Sequence, residues 1–242
     1  MNRIILCEGG TDAILLSYYL EKVAGWTHCK RPPADVAVKA TQFEQSVEWY
    51  ENGSDERLLI CGVGGKDNMG SFFQNKILRP IIDANAFSRI AVVLDRDENT
   101  IESLEEHASS IFRPIVTTMK NHLWTVNHYE DAFHIPQQIE SLLVMIPTEH
   151  EGALETVMLD SIAENPNDAV LVEKAGEFVK SIRSTSTQYL KRNRDVLKAH
   201  LGVTWAVQYP EKVFKLMNEQ IRSVAWEHSE VLRSCFNELI QI

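Results

Sequence analysis

Long apolar runs are missing from this 242-residue chain. No stretch of 18 apolar residues occurs, so no membrane-spanning helix is expected. Cysteine is scarce: Cys7, Cys29, Cys61 and Cys235 lie far apart and form no CxxC pair, which argues against zinc. Cys7 and Cys61 fall inside apolar runs and read as small buried hydrophobes, a usage that fits a reducing cytoplasm. Met-Asn-Arg leads straight into such a run, so no signal peptide is expected. Positive charge is also in deficit, with 24 Lys and Arg against 34 Asp and Glu, 24 − 34 = −10. A non-specific nucleic-acid coat protein is thereby disfavoured, whereas an enzyme that meets phosphates locally through metal ions and a few basic residues is not. There is no internal repeat and no low-complexity segment. The glycine-rich turn Gly62-Val-Gly-Gly65-Lys66 has neither the spacing nor the hydroxyl of a GxxxxGK(S/T) loop, which excludes a nucleotide P-loop.

What is present is a set of short apolar runs that stop on acidic or glycine-rich punctuation. Residues 3–7 end at Glu8, residues 58–61 at the Gly62 turn, residues 90–94 at Asp95-Arg96-Asp97, and residues 141–146 at Pro147. Runs of this kind read as buried parallel strands. Further short strands are expected over 35–40 and 113–118, and helices over 11–20, 42–51, 72–86 and 100–111. Alternating strands and helices predict a mostly parallel, Rossmann-like α/β sheet with helices on both faces, spanning 1–147. From residue 148 strand signals stop. Helices are expected over 152–163, 168–183, 187–199, 210–218 and 220–240, giving an α-helical C-terminal region whose border with the sheet is soft.

In a parallel sheet the C-terminal strand ends form one rim, and ligands bind there. Glu8, Asp95 and Asp97 are therefore expected to converge across about 90 residues of sequence, and three like charges held together call for a hard cation. If strand geometry persists, Asp95 and Asp97, at i and i+2, point the same way. Each motif also has a plainer explanation. Thr11 or Asp12 is a natural helix cap after Gly9-Gly10, and Asp12 is able both to cap and to face the cation one turn below Glu8. Arg96 is a solvated charge or a phosphate contact. Gly64-Gly65-Lys66 is a tight turn or a backbone-lined edge of the site, with Lys66 available to a phosphate. Glu151 and Glu155, at i and i+4, are acids favourable to a helix start or a second group of metal ligands. His150 reads as a surface residue. The basic run Lys180, Arg183, Lys191, Arg192, Arg194 and Lys198 is a solvated helix face or a source of charge for a scissile phosphate, with Lys191 and Lys198 as candidates.

A strand ending in EGxxD, a later glycine turn and a strand ending in DxD together resemble the Toprim domain, over roughly residues 1–147. That domain occurs in topoisomerases, bacterial primases, recombination mediators and nucleases of the overcoming-lysogenization-defect (OLD) type. Gly64-Gly65-Lys66-Asp67-Asn68 resembles a small group of stand-alone, OLD-like Toprim proteins. Glu151-Gly152-Ala-Leu-Glu155 resembles the extra acidic motif of OLD-type nucleases, whose catalytic lysine would fall on Lys198. The resemblance implies a nuclease acting on DNA or RNA with two Mg²⁺ or Mn²⁺ ions. Glu8, Asp95 and Asp97 would hold one ion, Asp12, Glu151 and Glu155 would help hold the other, and Gly64, Gly65, Lys66 and Lys191 would meet substrate. Glu8 as general base is left open beside Glu8 as ligand. No ATPase half is present, so the resemblance also implies a separate ATPase partner, as in antiphage systems that pair the two. An oligomer is possible and a membrane association is not expected. Two other functions stand beside it. One is a non-catalytic assembly module, and the other is a primase-type nucleotidyl transferase, which the missing zinc and template-binding parts disfavour.

Overall fold

The computed structural model describes residues 2–53, 56–186, 188–212 and 217–242. Seven strands form one sheet: β1 (Asn2–Cys7), β2 (Thr27–His28), β3 (Ser46–Asn52), β4 (Glu56–Gly62), β5 (Phe87–Asp95), β6 (Thr125–Glu130) and β7 (Pro136–Ile146), in the order β2-β3-β4-β1-β5-β7-β6. The central pairs β4–β1, β1–β5 and β5–β7 are parallel, while β2, β3 and β6 extend the sheet with antiparallel pairings. This is a Rossmann-like α/β fold. The chain leaves β1 for β4 on one side and then returns to β5 on the other. The crevice between the ends of β1 and β5 is thus a topological switch point, where such sheets bind ligands.

The apolar runs of the central strands divide by alternation. Ile5, Cys7, Ala91, Val93, Leu142 and Val144 face one layer, and Ile4, Leu6, Ile90, Val92, Leu143 and Met145 the other. Burial of both faces explains why these strands read as unbroken hydrophobic runs. Each fully buried branched side chain contributes about 1.5–3 kcal/mol relative to exposure. The second face is covered by α2 (Met69–Phe72), a π-helical turn Phe73–Ile77, α3 (Leu78–Ala84) and α4 (Ile101–Ile111). The π turn sits just before Pro80, which lacks a donor and crowds the carbonyl four residues back, so widening the turn there relieves both effects.

The first face is covered by α1 (Gly10–Ala24) together with C-terminal helices α5 (Leu154–Ala163), α7 (Asn193–Gln208) and α9 (Glu230–Phe236). α6 (Pro166–Thr185) packs outside them, against α5 and α7. Val157, Met158, Leu201, Trp205 and Phe236 share one hydrophobic core with Ile5, Val93 and Val144, so the C-terminal helices supply a layer of the sheet's own packing.

Several expected elements differ. Residues 42–51 are not helical: Ser46–Asn52 is an antiparallel strand, because Trp49 and Tyr50 bury best against β4. Residues 35–40 and 113–118 form no strand. Ile115 and Val116 are buried, but the amides of Thr117 and Thr118 are satisfied by Asn127 Oδ1 at 2.9 Å each instead of by a ladder. The helix expected over 187–199 begins at Asn193 instead, and 220–240 is broken into the end of α8 (Met217–Ile221), α9 and shorter turns. Thr187 and residues 213–216, within the helices expected over 187–199 and 210–218, lie outside the described residues. All four cysteines are free and buried, as expected for Cys7 and Cys61. Among the described residues no helix is long and apolar enough to cross a membrane.

Candidate active site

Glu8 follows the last residue of β1, and Asp95 is the last residue of β5. Parallel pairing of those strands brings the two carboxylates together although 87 positions separate them. Glu8 is 1% exposed and Asp95 2%. Each carboxylate has one oxygen fixed by backbone. The Asp95 N–H donates to Glu8 Oε1 at 3.0 Å, and the Leu154 N–H, in the first turn of α5, donates to Asp95 Oδ1 at 2.9 Å. The two remaining oxygens face one cation. Arg194 Nη2 lies 3.0 Å from Asp95 Oδ2 and 3.4 Å from Glu8 Oε2.

Asp12 completes the buried acid group at 7% exposure. It sits in the first turn of α1, where Oδ2 accepts the Gly9 N–H at 3.0 Å, so it does cap the helix. Burial, with Glu8 next in weight, pushes its carboxyl up to about 7. The Asp95 carboxyl is raised well above the usual range, chiefly by burial and then by Glu8 and Asp12, with partial offset from Arg194 and the Leu154 amide. Glu8 is raised by burial too, against the Asp95 amide and Arg194. Glu155, on the same first turn of α5, is buried and acts electrostatically on both Asp12 and Arg194.

Asp97 does not share the strand face of Asp95. Strand β5 ends at Asp95, and Asp97 adopts a left-handed conformation (φ 51°) with its side chain about half exposed. Its backbone pairs with Gly152, with Asp97 N–H to Gly152 O at 2.7 Å and the reverse bond at 3.1 Å. Gly152 is required there. Its φ is 151°, and a Cβ would stand 2.6 Å from Thr156 Oγ1. Lys66 Nζ spans Asp97 Oδ2 (3.2 Å) and the Asp95 carbonyl (3.4 Å), so it neutralises this outer acid. The Gly64-Gly65 turn precedes it. Gly65, at φ 115°, turns its N–H onto the Glu8 carbonyl at 2.7 Å and pins the ends of β1 and β4 together. Arg96 is neither solvated nor free for a phosphate. It donates through Nη1 to the Thr148 carbonyl at 3.0 Å and ties the loops after β5 and β7.

Beside the acids opens a cleft of about 760 Å³, lined by Asp97, Glu98 and Glu151 and by Arg183, Asn193 and Arg194. Glu151 is exposed, near Asp97 through the Gly152 bridge rather than beside Glu155. Lys198 is exposed on α7, where Asp195 is the acid that feels its charge. Lys191 is exposed ahead of α7. Neither lysine lines the cleft or pairs with the buried acids, among the described residues. His150 pairs with Asp160 at the surface.

Arg194 is the residue that sequence reasoning passed over. It was one of six basic residues in a run, yet it occupies the second position of α7, where a positive charge opposes the helix dipole. A cation kept at a helix start is a sign of a tertiary partner, but the helix expected over 187–199 places Arg194 in mid-helix, so only the structure reveals it.

The donor set of Glu8, Asp12, Asp95 and Glu155 is chemically suited to a hard divalent cation: oxygen ligands, buried, with excess negative charge and a cation already accepted between two of them. No group of three or more His, Cys, Asp or Glu side chains among the described residues is arranged to hold a metal ion.

A family model described as "Protein of unknown function (DUF3226)" matches residues 2–240. The chain belongs to that family. No curated protein matches it in sequence. Among solved structures it is similar to a hypothetical protein from Pyrococcus horikoshii OT3, at 16% identity and a TM-score of 0.50, over 98% of this chain and 99% of that one. At that identity the likeness speaks to the fold alone.

Proposed function

We propose that this DUF3226 protein is a metal-dependent nuclease of the Toprim type, hydrolysing nucleic-acid phosphodiesters at the β1–β5 crevice. The observation that carries the proposal is the pair Glu8 and Asp95, buried at adjacent parallel strand ends and facing a cation beside an open cleft lined by both acidic and basic residues. Burying two like-charged carboxylates costs several kcal/mol unless a cation compensates, and buried acids of this kind cluster at functional sites. Glu8 and Asp95 would hold Mg²⁺ or Mn²⁺ with Asp12 and Glu155 behind them. Asp97 and Glu151 flank the cleft mouth, where a second ion would sit. Bound metal would supply an activated water and charge stabilisation at the leaving oxygen. The chain's own residues do the rest. Arg183, which lines the cleft, receives the phosphodiester, and Lys66 orients Asp97. As the alternative to holding the ion, Glu8, whose one oxygen free of backbone is Oε2, would take a proton from the attacking water. A separate ATPase chain as partner belongs to the same proposal.

The test is incubation of pure protein with plasmid DNA and with total RNA, in Mg²⁺ or Mn²⁺, beside Glu8→Gln. Metal-dependent cleavage of one substrate that the variant loses is the expected result; no cleavage of either, or equal cleavage by both proteins, rejects the proposal.

A second reading has its own support. Arg194 already neutralises the acid pair, which suits a non-catalytic assembly module. Calorimetry showing no binding of Mg²⁺ or Mn²⁺ at millimolar concentration would favour it.

A further inference from the structure

We infer that Arg194 is a resident counter-ion which a divalent cation must displace, so that α7 controls metal loading of the Glu8–Asp95 site. The inference rests on the metal-binding part of the reading above and adds its regulation.

Each buried carboxylate has only one oxygen left for a ligand. Glu8 Oε1 is held by the Asp95 amide and Asp95 Oδ1 by the Leu154 amide, both at about hydrogen-bond optimum (3.0 and 2.9 Å). The free oxygens, Glu8 Oε2 and Asp95 Oδ2, are the two that Arg194 Nη2 holds. A dication reaching them would stand within a few ångströms of the guanidinium, where the two positive charges repel. The two cations are therefore alternatives for one place.

Displacement is feasible because Arg194 is anchored only at its tip. Its side chain is 45% exposed and already lines the cleft, so on release it moves into solvent rather than into the core. The residues around it hold independently. Asn193 Nδ2 donates to Glu98 Oε1 at 3.1 Å, which ties the start of α7 to the loop after β5 when Arg194 lets go, and the Arg192–Asp195 pair holds the first turn of the helix itself. Without metal, Arg194 keeps the two acids from facing each other uncompensated. With metal, it is freed beside the cleft that it lines with Arg183, where an anionic substrate would meet it.

The experiment is calorimetric titration of Mg²⁺ into the full chain and into Arg194→Gln, Arg194→Lys and the double variant Arg194→Gln/Asp95→Asn. Removing the competing charge-assisted pair should tighten Mg²⁺ binding by about tenfold or more in Arg194→Gln. Arg194→Lys, which keeps the charge, should stay near wild type, and the double variant should lose the gain. Equal or weaker binding by Arg194→Gln overturns the inference while leaving metal binding intact, as does a gain that Arg194→Lys shares or that survives Asp95→Asn. No Mg²⁺ binding by any of the proteins overturns both the inference and the metal site it rests on. Should Arg194→Gln fail to fold, the wild type answers alone. The ¹⁵Nε resonance of Arg194 should move to a solvent-exposed position as Mg²⁺ saturates the site, and an unmoved resonance under saturating Mg²⁺ overturns the inference.

Discussion

Asp95 and Asp97 are two positions apart and carry the same side chain, yet they live in opposite environments. Asp95 ends a buried strand, is 2% exposed, and has both oxygens committed, one to the Leu154 amide and one to Arg194. Asp97 stands in a left-handed turn, about half in water, with Lys66 as its partner. Backbone conformation accounts for the difference. The sheet ladder fixes Asp95 toward the β1–β5 crevice, while the turn that follows rotates Asp97 out to the cleft mouth. A buried carboxylate is a costly, committed ligand, whereas an exposed one is a screened and adjustable charge.

The comparison can be broken most directly by exchanging the two positions' chemistry. Asp95→Asn should lower phosphodiester cleavage on the order of 10³-fold, and Asp97→Asn by about 10–100-fold, measured as initial rates in saturating Mn²⁺. Equal losses would show that burial does not separate the roles. A smaller effect sharpens what burial costs. Asp12 has its carboxyl held up to about 7 in the fold, against 3.8 when free. Between those values the folded chain holds a proton that the unfolded chain has lost, so this group's contribution to stability falls as pH rises from about 4 to about 7 and is constant above. Urea midpoints without divalent metal should therefore drop less between pH 5 and pH 8 in Asp12→Asn than in wild type. Some slope remains in the variant, because Glu8 and Asp95 shift in the same direction. Identical slopes would refute the assignment. The smallest effect belongs to Lys198→Ala. Lys198 faces Asp195 at the surface, so cleavage should change less than about twofold. A loss comparable to that of Asp97→Asn would restore Lys198 to the site.

The strands that carry the site were legible because their runs are apolar on both faces and stop on acids: Ile4-Ile5-Leu6-Cys7 before Glu8, and Ile90 to Leu94 before Asp95. The edge strands were not. Ser46–Asn52 mixes Glu48 and Glu51 with Trp49 and Tyr50, and that alternation resembles one face of a helix until β4 is beside it. Residues 113–118 failed for the opposite reason, since Ile115 and Val116 are buried there without a strand partner, their amides turned onto the Phe112 carbonyl and those of Thr117 and Thr118 onto Asn127. Within the site, Glu8, Asp12 and Asp95 were recognisable from their strand and helix ends. Arg194 was hidden among neighbouring basic residues, and Leu154 contributes only an amide, which no side-chain pattern announces.

Local composition by itself determined the parallel strands, their acidic ends and the layer of C-terminal helices, because hydrophobic periodicity and strand length are properties of short segments. Only the tertiary structure decided which charges meet. Pairing of β1 with β5 brings Glu8 to Asp95, and docking of α7 chooses Arg194 over Lys191 and Lys198 as their counter-ion. That choice depends on where the first turn of a helix lands relative to a sheet, a distance between remote segments that no run of neighbouring residues encodes.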